Sequence, residues 1–227
     1  SVSAYGPDAP DGHLPGTDAV GQALSGIAEA YSIPGNNLRT GVASVADESC
    51  AILTFGGILA AYINAQKTGK GQKLETSLVG SAFRLLGWTM TTAMWSNRPP
   101  ITGARINGTR ERPGIAACFN DINGKPFALQ LDPDDWREAM KALNFFDVLT
   151  ENGLIDLGLA FESEKKKTEI LDKLAELFST DTRDNWISVL RKADMISTHV
   201  NTMLEASNDP NIKAVSYTHL TLPTIYS

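Results

Sequence analysis

SVADESCAILTFGGILAAYINAQKTGKGQ, residues 44–72, places acidic residues at the start of a long uncharged run. Asp47 and Glu48 stand directly before a run rich in Ala, Gly, Leu and Ile, in which charge does not return until Lys67. Two glycines then end the pattern, as they commonly do after the last turn of a helix. The stretch predicts a long apolar helix from about Glu48 to Gln66 with acidic residues at its N-terminus.

The acidic residue at the start of this helix has two interpretations. A helix N-terminus carries about half a positive charge and several N–H groups without a partner inside the helix. Asp47 is there either a simple N-cap worth about 1 kcal/mol or an ionised nucleophile toward an activated acyl group. In the second case the same N–H groups could stabilise the oxyanion that forms. The local sequence by itself favours the N-cap.

Composition and charge are those of a globular protein. Of the 227 residues, 42% are hydrophobic and 20% are charged, and the formal net charge is −6. Lys and Arg form no basic stripe, so we expect no binding to nucleic acid. The apolar run 50–63 is shorter than the about 20 apolar residues that span a bilayer, so we expect no membrane.

Cys50 and Cys118 are widely separated, and we interpret each as a small buried residue in a reducing, cytoplasmic environment.

The residues on either side of the helix predict a mixed α/β protein in two domains. Residues 18–31 have apolar positions at helical spacing, and residues 74–95 begin as a strand and continue as a helix. SNRPPITGARINGTRERPG, at 96–114, combines prolines and arginines with no apolar period and predicts a linker. We therefore predict a first domain over 1–95, a linker over 96–114 and a smaller α/β domain over 115–214.

Turn and cap signals predict a hairpin and several helices in the second domain. Asn123-Gly124 predicts a β-hairpin, and Asp132-Pro133 predicts a helix start with Asp132 as the cap. Two amphipathic helices follow, of which the second is capped by Thr182. Their predicted inward residues are Ile170, Leu171, Leu174, Leu177 and Phe178 in the first, and Trp186, Val189 and Leu190 in the second.

Other catalytic patterns are weaker. KTGKGQK, at 67–73, lacks the spacing of a phosphate-binding loop and is better explained as a glycine C-cap before a turn. Of the histidines we consider His13 and His199 as candidates, and no serine lies in a G-x-S-x-G motif. No segment has metal-ligand spacing, so we expect no metal.

Several motifs together point to one known family. They are SVSAYG (1–6), PGTD (15–18), GQALSG (21–26), ILAAYINAQKTGKGQKLETSL (58–78) and SNDPNI (207–212). As a set they resemble the class III CoA-transferases, the family of formyl-CoA transferase, carnitine CoA-transferase and α-methylacyl-CoA racemase. The resemblance covers about residues 1–214. It implies part of a Rossmann-like large domain, followed by a smaller α/β domain.

The resemblance also implies roles for particular residues. The family's nucleophilic aspartate falls on Asp47, so the resemblance changes the preferred interpretation from N-cap to nucleophile. Its CoA-contacting stretch falls on Ser3, Ala4, Tyr5 and Gly6, with coenzyme A as a substrate. In the family's transferases the aspartate attacks an acyl-CoA to form a mixed anhydride, and CoA converts this to an aspartyl-CoA thioester. The implied partners are an acyl-CoA, a carboxylic acid and a second copy of the chain in an interlocked homodimer.

Two alternatives stay open beside the transferase. The family's racemases and epimerases of 2-methylacyl-CoA use a His in P-G-H-D, where this chain has Thr17, and threonine does not shuttle a proton near neutral pH. His13 could replace it only if its loop rearranged. Ala46 and Glu48 depart from the family's usual surroundings of the aspartate, which is the pattern of a non-catalytic CoA-binding homologue.

The two ends of the sequence lead us to expect an interior fragment of a longer protein. No Met stands at the first position, and VSYTHLTLPTIYS, at 215–227, resembles the translation of a common sequencing adapter. We therefore expect residues 215–227 to be an artefact. A genuine C-terminal strand would instead bury Leu220 and Leu222.

Overall fold

The computed structural model describes residues 1–32, 40–41, 43–97, 114–160 and 163–215. The chain forms two compact units, Ser1–Ala104 (unit 1) and Arg105–Ser227 (unit 2). The predicted linker 96–114 lies almost entirely outside the described residues, as does the predicted artefact after residue 215. The predicted domain bounds and the artefact therefore stay predictions.

Unit 1 is built from helices around a short parallel strand pair. Its elements are β1 (Val2–Ser3), α1 (Asp18–Ser25), α2 (Ile27–Ala30), α3 (Val45–Thr68), β2 (Thr76–Ser77), α4 (Leu78–Leu85) and α5 (Gly87–Ser96). β1 pairs with β2 in parallel, Val2 with Thr76 and Ser3 with Ser77. Parallel strands need a long crossover connection, and α1–α3 supply it here. The single helix predicted over 18–31 is two helices, because Gly26 has a φ of 91° and ends α1.

The long apolar helix is present and extends further than predicted. α3 ends at Gly69, whose left-handed φ of 69° lets its N–H bond to the carbonyl of Ala65 at 2.8 Å. Its buried residues, Ala46, Ser49 and Cys50, all lie in its first two turns. Exposed apolar side chains then follow along the helix: Ile52, Leu53, Phe55, Ile58, Leu59, Tyr62 and Ile63.

α3 is, among the described residues, the one helix long and apolar enough to cross a bilayer by length and composition. The core helix of a soluble protein satisfies the same criteria. The prediction that this apolar run is too short for a membrane span is therefore wrong on length. The expected absence of a membrane association stays a prediction.

Unit 2 places helices on one face of an antiparallel sheet. Its elements are β3 (Ile115–Asn120), β4 (Pro126–Leu131), α6 (Trp136–Ala142), α7 (Phe146–Glu151), α8 (Leu157–Ala160), α9 (Glu164–Phe178), α10 (Arg183–Lys192), β5 (Ile196–His199), α11 (Met203–Asn208) and α12 (Pro210–Val215). The strand order is β3-β4-β5, and both pairings are antiparallel. The predicted hairpin is confirmed, with Gly124 at a φ of 73° in its turn. The mixed α/β class is also confirmed.

The core of unit 2 lies between this sheet and its helices. Within the described part of unit 2, twenty buried apolar residues form one cluster. At its centre the Phe178 ring lies 4.9 Å from the Phe119 ring and 5.1 Å from the Phe127 ring, centroid to centroid. The predicted inward faces of α9 and α10 are confirmed, since their residues are buried in this cluster or packed against it.

Two predictions in unit 2 are wrong. α6 begins at Trp136, because Asp132 to Asp135 form a turn in which the Asp135 N–H bonds to the Asp132 carbonyl. Trp136 is buried and its indole N–H bonds to the Ile155 carbonyl, which sets where the helix starts. Cys118 is exposed rather than buried, because alternation along β3 turns Ile115, Ala117 and Phe119 to the core and Cys118 away from it.

Candidate active site

Asp47 lies in the first turn of α3 with its side chain exposed. Its carboxylate accepts no hydrogen bond from the part of the chain that the structure describes. The helix is capped instead from α1: the Asp18 carboxylate oxygen Oδ1 accepts the N–H of Ala46 at 2.8 Å and that of Asp47 at 3.2 Å. The interpretation of Asp47 as the N-cap is therefore wrong, and its carboxylate is available for chemistry.

The N–H groups at the start of α3 are all used. The Val45 N–H bonds to the Ala43 carbonyl and the Glu48 N–H to the Ser44 carbonyl. Asp18 takes the two N–H groups between them. The expectation that these donors stabilise an oxyanion is therefore wrong, since a donor already bonded to a carboxylate or carbonyl is not free for the substrate. The positive end of the helix dipole still favours an anion at this point.

Gln22 connects the start of α3 to Gly41 and Ala43, which lie just before this helix in the sequence. Its side chain is 1% exposed. The amide oxygen accepts the Gly41 N–H at 2.7 Å, and the amide nitrogen donates to the Ala43 carbonyl at 3.2 Å and to the Asp18 carboxylate. Sequence reasoning missed both Asp18 and Gln22 as parts of the site. Their spacing of four residues on an amphipathic helix was the available signal, because such residues share a face.

The predicted CoA-contacting residues form a turn directly after β1. The Ser3 hydroxyl accepts the Gly6 N–H at 3.0 Å, and Gly6 has a φ of 102°. Ala4 is buried, and its carbonyl accepts the Val79 N–H at 3.0 Å. Ala4 therefore holds the turn in place, while Ser3, Tyr5 and Gly6 are more exposed.

The structure brings this turn and Asp47 into one neighbourhood through the PGTD motif. A Cβ atom placed on Gly16 would lie 2.5 Å from the Ala4 Cβ, so the two motifs touch at these residues. Two residues later, Asp18 binds the backbone of Asp47. The motif thus lies between the predicted CoA-contacting turn and the predicted nucleophile.

A polar contact joins α3 to β2 just beyond the helix start. The hydroxyls of Thr54 and Thr76 lie 2.7 Å apart, and the Cys50 thiol donates to the Thr76 hydroxyl at 3.7 Å. Cys50 is buried, as predicted. Because Thr76 pairs with Val2, this contact ties the helix of Asp47 to the strand that carries the Ser3 turn.

The racemase alternative depends on Thr17 and His13, and the structure describes both residues. Thr17 occupies the N-cap position of α1, and its hydroxyl makes no capping bond. His13 is exposed in the turn-rich segment before it. Within the described ranges no group of three or more His, Cys, Asp or Glu residues could hold a metal ion. The expectation of no metal stays a prediction.

Unit 1 thus contains an exposed carboxylate at the start of α3 and a glycine-containing turn after β1. The sequence profile of CoA-transferase family III matches residues 1–221, and the chain belongs to this family. That match runs into the segment predicted to be an artefact.

Curated relatives are CoA-transferases that are longer than this chain. The human succinyl-CoA:glutarate CoA-transferase is 34% identical over 222 residues, which cover 93% of this chain and 47% of that protein. The acetyl-CoA:oxalate CoA-transferase of Acetobacter aceti is 24% identical over 224 residues, or 94% of this chain and 54% of that protein. The chain thus spans about half the length of the curated relatives it matches.

Solved structures share the fold. A CAIB/BAIF family protein from Brucella suis matches with a TM-score of 0.75 at 18% identity, covering 94% of this chain and 55% of that one. Rv3272 from Mycobacterium tuberculosis matches with a TM-score of 0.71 at 15% identity and the same coverage. These matches confirm the predicted class III CoA-transferase fold.

Proposed function

We propose that the protein moves CoA from an acyl-CoA to a carboxylic acid, with Asp47 as the nucleophile. The observation that carries the proposal is the exposed Asp47 carboxylate, which is not consumed in capping its own helix. Membership of a family whose curated relatives are CoA-transferases supports the reaction class.

The proposed reaction uses Asp47 twice as an acyl carrier. A carboxylate oxygen of Asp47 attacks the thioester carbonyl, the C–S bond breaks and CoA leaves as a thiolate, giving a mixed anhydride. The thiolate attacks the aspartyl carbonyl, which releases the donor carboxylate and forms an aspartyl-CoA thioester. An acceptor carboxylate then attacks this thioester, and its C–S bond breaks to give an anhydride of Asp47 with the acceptor and free CoA thiolate. The thiolate attacks this anhydride at the acceptor carbonyl, and the Asp47 carboxylate leaves. The products are a new acyl-CoA and free Asp47, so no net proton is required.

We propose that the turn after β1 contacts CoA. Ser3, Tyr5 and Gly6 are assigned the direct contacts, because the Ala4 side chain is buried and its carbonyl is already bonded. The positive φ of Gly6 gives the backbone a conformation that lets it approach a ligand closely. Ala4 is assigned a structural role, since it fixes the turn through its hydrogen bond to Val79.

Trapping with hydroxylamine tests the nucleophile in the complete polypeptide that contains this sequence. An activated Asp47 is expected to yield a hydroxamate at this residue, found by peptide mass spectrometry, only when acyl-CoA is present. Asp47→Ala is expected to abolish CoA transfer while leaving the protein folded, because the cap of α3 is Asp18. Glu48→Ala is the matched control, since it removes the neighbouring exposed acid and is expected to keep transfer.

Three outcomes would count against the proposal. Activity of Asp47→Ala within about tenfold of the unmodified protein would remove Asp47 as the nucleophile, since that corresponds to only about 1.4 kcal/mol in the barrier. A folded protein that gives no hydroxamate and no transfer, yet binds CoA, would be the non-catalytic homologue. Exchange of the α-proton of a 2-methylacyl-CoA would instead identify the racemase.

A further inference from the structure

We propose that Asp18 and Gln22 are positioning residues for Asp47, acting as one clamp on the first turn of α3. The inference rests on the proposed role of Asp47. The two oxygens of the Asp18 carboxylate bind different groups. Oδ1 accepts the N–H groups of Ala46 and Asp47, and Oδ2 accepts an N–H of the Gln22 side-chain amide. The backbone of the proposed nucleophile is thus held by a side chain from another helix.

Gln22 fixes the orientation of Asp18. Its amide oxygen is held by the Gly41 N–H, so its nitrogen faces the Asp18 carboxylate and the Ala43 carbonyl. Each polar atom of a buried amide needs a partner, and here each has one. A buried amide with this set of partners has one orientation, and Asp18 is held in one position with it.

Close packing removes the remaining freedom of the helix start. Ala46 is fully buried, and a Cβ atom on Gly21 would lie 2.5 Å from the Ala46 Cβ. Gly21 lies on α1 between the two clamp residues. Hydrogen bonds therefore fix α3 along its axis while this contact limits its rotation. A displacement of about 1 Å at a reacting group costs on the order of 10²-fold in rate, so a clamp at this point acts on catalysis.

The test exchanges the two clamp side chains in the complete polypeptide. Asp18→Asn places two amide N–H donors against each other. Gln22→Glu places two carboxylates against each other. The double variant Asp18→Asn/Gln22→Glu restores a donor facing an acceptor and the original net charge. We expect each single variant to lower kcat by about 10- to 10²-fold with the KM for acyl-CoA unchanged. The double variant should recover part of the loss, because the carboxylate that Gln22→Glu introduces still faces the Ala43 carbonyl. Gln66→Glu, the same substitution at an exposed site on α3, is the matched control.

Hydrogen exchange of the Ala46 and Asp47 amides gives a second readout. We expect faster exchange at these two positions in the single variants and recovery in the double variant. If a single variant does not fold, Gln22→Met takes its place, because it keeps the volume of the side chain and removes every hydrogen bond of the Gln22 amide.

The outcomes separate this inference from the proposed function. Single variants with unchanged kcat and amide exchange, beside an inactive Asp47→Ala, overturn the clamp and leave the nucleophile in place. A double variant no better than the two losses multiplied also overturns it, because the residues then act independently. An active Asp47→Ala removes the proposed function itself.

Discussion

Gly21 allows α1 to lie directly against the first turn of α3. A Cβ atom at this position would meet the Ala46 Cβ at 2.5 Å and the Leu78 Cβ at 3.4 Å. The first distance is too short for two carbon atoms, so a larger residue forces the helices apart. We expect Gly21→Ala to lower the free energy of unfolding by about 1–3 kcal/mol, as overpacking does.

Urea unfolding of the complete polypeptide measures this loss. Gly56→Ala is the control, because within the described residues nothing lies within 4 Å of its added Cβ. On an exposed helix that substitution is expected to stabilise by up to about 1 kcal/mol. Equal effects at the two glycines would contradict the close approach.

The sequence located Asp47 at the start of α3 but did not reveal the residues that bind its backbone. The local pattern places Asp47 at the start of an apolar helix, and the structure confirms that position. The same pattern marks Asp18 as a residue of the first turn of its own helix, yet its carboxylate binds α3, 28 residues away. Such a contact is fixed by how two helices pack, and no local pattern encodes it. The roles of Asp47 and of the Ser3–Gly6 turn stay predictions.

At the scale of elements, the β3–β4 turn is joined to the start of α10 by one buried carboxylate. Burial opposes ionisation of Asp121, but the N–H groups of Arg183, Lys125 and Asn123 outweigh it and hold the pKa of this carboxyl below its ordinary value. Because the pKa is lower in the folded state, the ionised carboxylate stabilises fully above an unfolded pKa of about 3.9, and this contribution is lost as pH falls toward the folded pKa.

We therefore expect the urea midpoint of unit 2 to fall as pH is lowered through about 4. Asp121→Asn should remove part of this pH dependence, since its amide cannot accept all three N–H groups. Fluorescence of the buried Trp136 monitors the unfolding. The exposed Asp134→Asn serves as the comparison. The same slope in both variants would show that Asp121 does not couple the turn to α10.

Element types were more predictable than element boundaries. The hairpin and the inward faces of α9 and α10 follow from turn chemistry and helical spacing, both of which are local. The start of α6 follows from burial of Trp136 and its bond to the Ile155 carbonyl, which a capping pattern cannot reveal. The exposure of Cys118 could have been predicted, since strand alternation already turned its neighbours inward.

At the scale of the whole molecule, the two units differ in how much core they contain. Among the described residues, unit 2 has a cluster of twenty buried apolar residues, whereas the buried cluster of unit 1 consists of Ile27, Ala46 and Ala82. The apolar surface of α3 stays exposed, although a helix that is apolar all round normally lies in a core. We expect residues 115–214 to fold alone, and residues 1–95 alone to bind a hydrophobic dye and aggregate.

Circular dichroism, dye fluorescence and light scattering on the two pieces measure this difference. Leu174→Ala in the isolated unit 2 should cost about 2–5 kcal/mol, because that side chain is fully buried. A molten unit 2, or a monodisperse and well-folded piece 1–95, would contradict the expectation. In the complete polypeptide we expect a dimer that urea separates only together with unfolding.

The pairing of β1 with β2 has a consequence during synthesis. The backbone nitrogen of Ser1 donates to the carbonyl of Leu74, 73 residues away. At about 5–20 residues per second, the ribosome needs roughly 4–15 s to make the strand that β1 pairs with. In the last part of that interval α3 has been made and β2 has not, and long-range pairing is slow in any case. The nascent chain should therefore be a substrate for chaperones that bind apolar helices. Because the same side chains of α3 stay exposed among the described residues, completion of β2 alone should not release the chain.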